Sequence, residues 1–458
     1  MRLTRLFSLL SLAAAPALAQ ITQAEYAARR TALSTELPGD GIVVVTGAPE
    51  PKHDYDVFTQ DYTFNYLTGF LEPDAALVIV HKGGNDRALL FVQPKDPSQE
   101  VWTGKRLGVA GVGDKLGLEG RDATTLHKVI DSLKAANTGL KVLDATAQVA
   151  HLRGTKSPAE LELLRTAARI SAMAHNEVLH AIAPGMAEFE IQALAEYTFR
   201  RNGADGPAYG SIVGSGPNST TLHYNANDRF MQSGDVLNMD MAASYGGYSA
   251  DLTRTVPVNG RYSPEQREIY QIVYDAQQAG ERQVKAGAPV KASSDSATAV
   301  IKAGLARLGL IESADAKIDG CAGGDSCFQY RLYYMHALSH PIGLDVHDVD
   351  QLSKTGHYGV GSAFTIEPGI YVRENTLDII PHTPRNAQLL AKIAPAVRKY
   401  ANIGVRIEDD YIVTAAGFDR ITSGAPREMD EIEREMAVRA PLAGRDSTLI
   451  ESYKKIRP

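Results

Sequence analysis

The segment DVLNMDMAASYGGYSADLTRTVPV, residues 235–258, restricts the fold more than any other part of the chain. Two β-type runs flank Gly246-Gly247, the pattern of a hairpin closed by a two-residue turn. Such a turn sets Asp251 opposite Ala242. Asp240, two residues from Ala242, then falls on the same face. Two carboxylates point one way, about 5–8 Å apart. Leu237, Met239 and Met241 point the other way and call for a core. Like charges this close are unfavourable unless a cation or a proton lies between them. Two solvated aspartates on an outer face are the competing reading of this segment alone.

Two further strand-like runs carry a carboxylate each: AFTIEPGIYV with Glu367, and IGVRIEDDYIVT with Glu408. A buried, unpaired carboxylate is costly, so each calls for a partner or a metal. Arg406 is available to pair with Glu408. The stretch MHALSHPIGLDVHD, 335–348, holds His336, His340 and His347, with Asp345 and Asp348 beside the last. Pro341 and Gly343 oppose a continuous helix there, so these residues are expected at strand ends or in a loop. TLHYNAND, 221–228, adds His223 in a turn-rich stretch. Four carboxylates with one histidine suit a pair of borderline-hard divalent ions: manganese, iron, cobalt or zinc. Two such ions can activate water at neutral pH and polarise a carbonyl, so the implied chemistry is hydrolysis. Rival motifs are missing: HNEVLH at 175–180 lacks the HExxH spacing, GVAGVG at 108–113 is off-pattern for a dinucleotide, and no GxSxG or P-loop occurs.

The 458 residues suggest two or three domains of the α/β (α+β) class. MRLTRLFSLLSLAAAPALAQ reads as a bacterial secretory signal peptide, 1–19, cleaved after Ala19, with an apolar run too short to span a membrane. The expected location is therefore periplasmic or secreted, and no later apolar run reaches the ~18 residues of a membrane span. Net charge is −7, and removal of Arg2 and Arg5 makes it more negative, so no nucleic-acid partner is expected. Residues 20–152 form a first domain, with strands expected at 41–47, 75–83 and 87–93 and a helix after Arg121. Trp102, the only tryptophan, is expected in a core or an interface. Ser157-Pro158 starts a helix, and a second runs over 187–203. From there the chain reads as strand-rich with long loops to about 416, closing a second domain at 153–426. A charged helical tail is expected at 427–458. Cys321 and Cys327, an even count in an exported chain, suggest a disulfide.

With these residues in view, NMDMAASYGGYSADLTRTVPV, MHALSHPIGLDVHD, TIEPGIYV and VRIEDDYIVT, in that order, resemble the pita-bread metallopeptidases. The likeness is to the Xaa-Pro aminopeptidase group first and to prolidase next, and the N-terminal part resembles a creatinase-like domain. The resemblance implies that Asp240, Asp251, His340, Glu367 and Glu408 bind two divalent ions, Mn2+ above Co2+, Zn2+ or Fe2+, with Asp251 and Glu408 bridging. It implies that Glu367 also handles a proton, that His347 stabilises the tetrahedral intermediate, that His223 and His336 orient the substrate, and that Arg406 orders the carboxylates. It places Trp102 against a neighbouring subunit, in a dimer or tetramer, and leaves Asp345 and Asp348 to local structure. The substrates implied are peptides with proline second, from which the N-terminal residue is released. A dipeptidase needs a cation for the free carboxylate, and 348–364 offers Lys354 but no Arg. A non-catalytic peptide-binding module would have lost ligands. Departures are Ala337 where the family has Gly, and inserts at 317–329 and 373–402, both expected to reshape the pocket rim.

Overall fold

The computed structural model describes residues 20–440, 448, 449 and 453, apart from 54, 55, 138, 322 and 323. The expected leader, 1–19, lies outside the described residues, as does most of the tail beyond 440. No described helix is long and apolar enough to cross a membrane.

The first domain is a five-stranded sheet: β1 (Gly41–Thr46), β2 (Ala76–Lys82), β3 (Asn85–Val92), β4 (Glu119–Asp122) and β5 (Lys141–Leu143), in the order β4-β3-β2-β1-β5. The three aliphatic runs expected as strands are β1, β2 and β3. Both faces of the sheet are covered, which is why its central strands are nearly all apolar. Ile42, Val78 and Phe91 pack against the helix Leu126–Ala136, while Val43, Leu77 and Leu90 belong to a second cluster. That second cluster also takes in Leu163, Tyr248, Ile342 and Leu344, so it is shared by the two domains.

After the helix Thr146–Gly154, Ser157 caps the helix Pro158–Ala181: its hydroxyl accepts from Glu160 N–H, and Glu160 accepts from Ser157 N–H. The helix Glu188–Arg201 follows. The strands of the second domain are β6 (Gly206–Pro207), β7 (Ile212–Ser215), β8 (Val236–Asp240), β9 (Ala243–Tyr245), β10 (Tyr248–Ser249), β11 (Thr253–Pro257), β12 (Lys317–Cys321), β13 (Gly324–Phe328), β14 (Ala363–Ile366), β15 (Gly369–Val372), β16 (Ile403–Arg406), β17 (Asp409–Thr414) and β18 (Gly417–Arg420). They form small sheets, β10-β9-β6, β11-β8-β7, β14-β17-β18, β15-β16 and β12-β13. Tyr248 pairs with Tyr245 and Thr253 with Asp240, one register throughout, so Asp251 does stand across from Ala242. Gly246 and Gly247 both have positive φ, as the two-residue turn demands.

Several expectations need correction. The stretch 203–416 is not strands and loops alone: it contains the helices Pro264–Glu281, Val290–Arg307 and Pro384–Tyr400. The last lies inside the segment expected at the pocket rim. Leu389, Ile393 and Val397 instead drive it into the main core, and Asn386 bonds to Asp319 of β12, joining the two inserts. The tail is helical over Met429–Ala437, where Ile432 and Met436 are buried, and Tyr453 packs its ring against Phe189 at 4.8 Å. Trp102 is 71% exposed on the helix Pro97–Thr103, so it is no core residue of this chain. Cys327 is disulfide-bonded; the side chain of Cys321, the only other cysteine, lies outside the described ones.

Candidate metal centre

Four strand ends deliver the acidic residues to one place. Asp240 closes β8, Asp251 precedes β11, Glu367 lies between β14 and β15, and Glu408 lies between β16 and β17. A bridge between Thr253 and Glu408 joins β11 to this last crossing. Thr253 Oγ1 donates to Glu408 Oε2 at 2.6 Å. His340 comes from the loop before β14, where Thr365 N–H donates to its carbonyl. Its Nδ1–H donates to Pro341 O at 3.1 Å, so Nε2 is the nitrogen turned to the acidic side. Nε2 stands 3.4 Å from Asp251 Oδ2, 3.5 Å from Glu367 Oε1 and 3.9 Å from Glu408 Oε1. Asp251, His340 and Glu408 offer ligand atoms all within 4.8 Å of one another.

Asp240 is reached differently. Arg406 Nη2 donates to its Oδ2 at 2.7 Å, and Tyr209 O–H lies 2.5 Å from its Oδ1 and 2.7 Å from Asp251 Oδ1. One hydroxyl hydrogen cannot serve two carboxylates at once, so one oxygen of the pair lacks a donor there. Burial pushes Glu408 well up from the usual carboxylate range, and Asp251, Glu367 and Asp240 push it further. Asp240 is likewise raised by burial, with Arg406 opposing and Asp251 adding. This is an excess of buried negative charge with an oxygen-rich, one-imidazole donor set, and divalent cations fit it.

The model of metallopeptidase family M24 matches residues 162–415, and that of the aminopeptidase P N-terminal domain matches 26–142. The Xaa-Pro aminopeptidase of Haemophilus influenzae is 32% identical over 454 residues, covering 92% of this chain and 98% of that protein. The chain belongs to metallopeptidase family M24. Aminopeptidase PepP of Pseudomonas aeruginosa superposes on this M24 chain with a TM-score of 0.78 at 32% identity, over 92% of it and 99% of the other. A zinc-substituted E. coli aminopeptidase P, in complex with product, gives 0.79 at 29% identity, over 92% and 100%. The second domain is thus the pita-bread catalytic domain, behind an aminopeptidase P N-terminal domain.

In this metallopeptidase the histidines of 335–348 stand in a loop, as the proline and glycine require. His336 Nδ1 lies 3.5 Å from Glu367 Oε2, and its Nδ1–H donates to Ala337 O at 2.8 Å. Nε2 then accepts from Tyr371 O–H at 2.9 Å, and the Tyr371 oxygen accepts from Arg406 Nη1 at 3.0 Å. A chain of bonds therefore runs from Asp240 through Arg406 and Tyr371 to His336. The His347 ring centroid is 4.0 Å from that of His340. His223 is exposed, near enough for its charge to act on His336 and His347. Arg406 corrects one expectation: its ion pair is with Asp240, not Glu408, whose hydrogen-bond donor is Thr253. Ala337 needs no glycine backbone: among the described residues, the non-Gly ones with positive φ are Asp74, Asn227 and Asn402. Lys354 is exposed on the short helix Gln351–Thr355.

Three residues of the site went unread in the sequence: Tyr209, Thr253 and Tyr371. Thr253 has the parity of Asp251, and Tyr371 that of Glu367, which was the available signal. Tyr209 carried none.

Charge state couples the site to pH. Burial opposes a charge on His340, yet the hydrogen bond and charge of Asp251 hold its pKa up at about 9. Burial lifts Glu367 to about 8, against His340 and Arg406. A metal held by His340 and Glu367 would need the first neutral and the second ionised, so its binding would displace protons at neutral pH. Metal affinity should therefore climb as pH rises from 6 towards 9. Calorimetry in buffers of different ionisation enthalpy will read the proton release at pH 6–7; no release there would contradict the assignment.

Proposed function

We propose that this chain is a dinuclear Xaa-Pro aminopeptidase, exported from a bacterial cell and loaded with manganese. It is a metal-dependent enzyme that releases the N-terminal residue from peptides with proline second. The observation that carries this is the convergence of His340 Nε2 with Asp251, Glu367 and Glu408, flanked by His336. The relatives named above carry the same activity in their names, which favours the aminopeptidase over a dipeptidase. Asp240, Asp251, His340, Glu367 and Glu408 would hold two divalent ions, which supply Lewis acidity for the scissile carbonyl and for water. The hard, carboxylate-rich donor set supports manganese.

The residues divide the remaining work. Glu367, whose Oε1 lies 3.5 Å from His340 Nε2, would take a proton at a carboxylate oxygen and return it to the leaving amine. Burial, then Arg406, lowers His336 to about 4, so it meets the substrate as a neutral imidazole whose Nε2 is oriented by Tyr371. Burial lowers His347, which would face the substrate's oxyanion as a neutral hydrogen-bond donor. His223, exposed in the segment 221–228, would orient the substrate. Arg406 opposes protonation of Asp240 and aligns its carboxylate.

Export rests on the charge, apolar run and small-residue site at 1–19. Assembly into a dimer or tetramer is supported by Val57, Leu71, Val101 and Trp102, large apolar residues exposed on the N-terminal domain. The decisive experiment offers the manganese-loaded protein Ala-Pro-Ala, Ala-Pro and Ala-Ala-Ala, with products read by mass spectrometry. Release of alanine from Ala-Pro-Ala and none from Ala-Ala-Ala is expected. Cleavage of Ala-Pro alone would make the chain a dipeptidase, and no cleavage at all would leave a peptide-binding module.

A further inference from the structure

Asp348 follows His347 and takes no part in the metal centre, yet its side chain is only 2% exposed. Two cations from outside the catalytic strands close on it. Arg153, in the last turn of the helix Thr146–Gly154, donates Nη2–H to Oδ1 at 2.5 Å. Lys156, one residue before the Ser157 cap, donates Nζ–H to Oδ2 at 3.0 Å and is itself 1% exposed. Its backbone is tied down too, the N–H donating to Gly361 O at 3.1 Å. A side chain at Gly343 would overlap the Asp348 carboxylate, so the glycine makes the space for this group. Burying three charges is expensive, and apolar packing would stabilise the junction as well or better. What an ion cluster adds is one defined position.

The main chain carries that position to the metal centre. Asp348 N–H donates to Pro341 O at 3.0 Å, and the same carbonyl accepts His340 Nδ1–H. Gly343 N–H donates to Asp345 O, and Gly343 O accepts from Ser249 N–H at 2.7 Å. Ile342 and Leu344 insert into the core shared with the N-terminal domain. The loop 341–348 is thus fixed at both ends, and His347 is its last residue before the anchor.

We propose that Asp348, held between Arg153 and Lys156, is a positioning residue that sets His347 over the metal centre, making the domain junction part of the active-site geometry. This rests on His347 facing the substrate, as read above. The test is a mutant cycle in the full manganese-loaded chain, with Ala-Pro-Ala as substrate, metal content by mass spectrometry and Tm recorded for each variant. Asp348→Asn should lower kcat by about 10–100-fold with metal content unchanged. KM should move by less than about twofold, because the interaction is made in the transition state. In a His347→Ala background the same change should cost less than about twofold, because the two act as a unit. Lys156→Met should behave as a milder Asp348→Asn, and Lys156→Arg should restore most of kcat. If Asp348→Asn does not fold, Lys156→Met carries the same cycle, since Arg153 still pairs with Asp348. Additive losses in the His347→Ala background, or loss of metal from Asp348→Asn, would overturn the proposal. His347→Ala with full activity would overturn it differently, by removing the reading of His347 on which it stands.

Discussion

Asp251→Ala is expected to remove turnover and metal together while leaving the fold in place. Asp251 is the carboxylate closest to His340 Nε2, and it shares Tyr209 with Asp240. Without it, His340 and Glu408 remain but the close set of ligand atoms is broken. Lewis-acid stabilisation of a developing oxyanion is worth several kcal/mol, so kcat should fall by about 10³-fold or more. Metal content after dialysis should drop in parallel. The metal-free fold should persist, because the substitution takes one negative charge out of a crowded buried set. Circular dichroism with metal analysis and a rate assay checks all three. Turnover surviving in this variant would sink the dinuclear assignment.

Arg406→Met should act in the opposite way, on stability first. The Arg406 guanidinium is buried and makes hydrogen bonds to Asp240, Tyr371 and Thr253 at 2.7, 3.0 and 3.2 Å. Among the described residues it is the one arginine hydrogen-bonded to any of the carboxylates of Asp240, Asp251, Glu367 and Glu408, and its partner is Asp240. Removing one partner of a buried pair leaves the other charge uncompensated, at a cost of about 3–5 kcal/mol. The metal-free variant should therefore melt well below the unchanged chain. Added manganese should recover much of the gap, since a bound cation takes over part of the compensation. Thermal melts with EDTA and with excess metal measure both arms. Equal melting temperatures for variant and unchanged chain in EDTA would show that Arg406 is not the counter-charge described here.

Much of this site was legible because strand parity is a strict rule. A period of two places Asp240 and Asp251 on one face once Gly246-Gly247 closes the hairpin, and the observed register agrees. Glu367 and Glu408 stood out as charges inside aliphatic runs, and the first-domain strands as apolar runs between turn residues. The helix Pro264–Glu281 was legible in the same terms as Pro158–Ala181. Ser263 caps it, and Gln266 returns the bond.

Other features have no local signal. Arg406 and Glu408 share a parity, so the sequence pairs them readily, but the guanidinium reaches Asp240, 166 positions away. Tyr209 sits in a stretch with no periodic pattern, and its role comes from standing between two strand ends. Asp348 looked like an ordinary loop aspartate until Arg153 and Lys156, nearly 200 positions earlier, closed on it.

The sequence by itself determined that Asp240 and Asp251 share a face and that Glu367 and Glu408 are charges inside aliphatic runs, because backbone geometry and the cost of buried charge act locally. Only the tertiary structure decided which carboxylate takes the arginine, which hydroxyl bridges the aspartates, and which cations anchor the His347 loop. Those choices depend on distances between strand ends and domain edges, and such distances exist only once the core has closed.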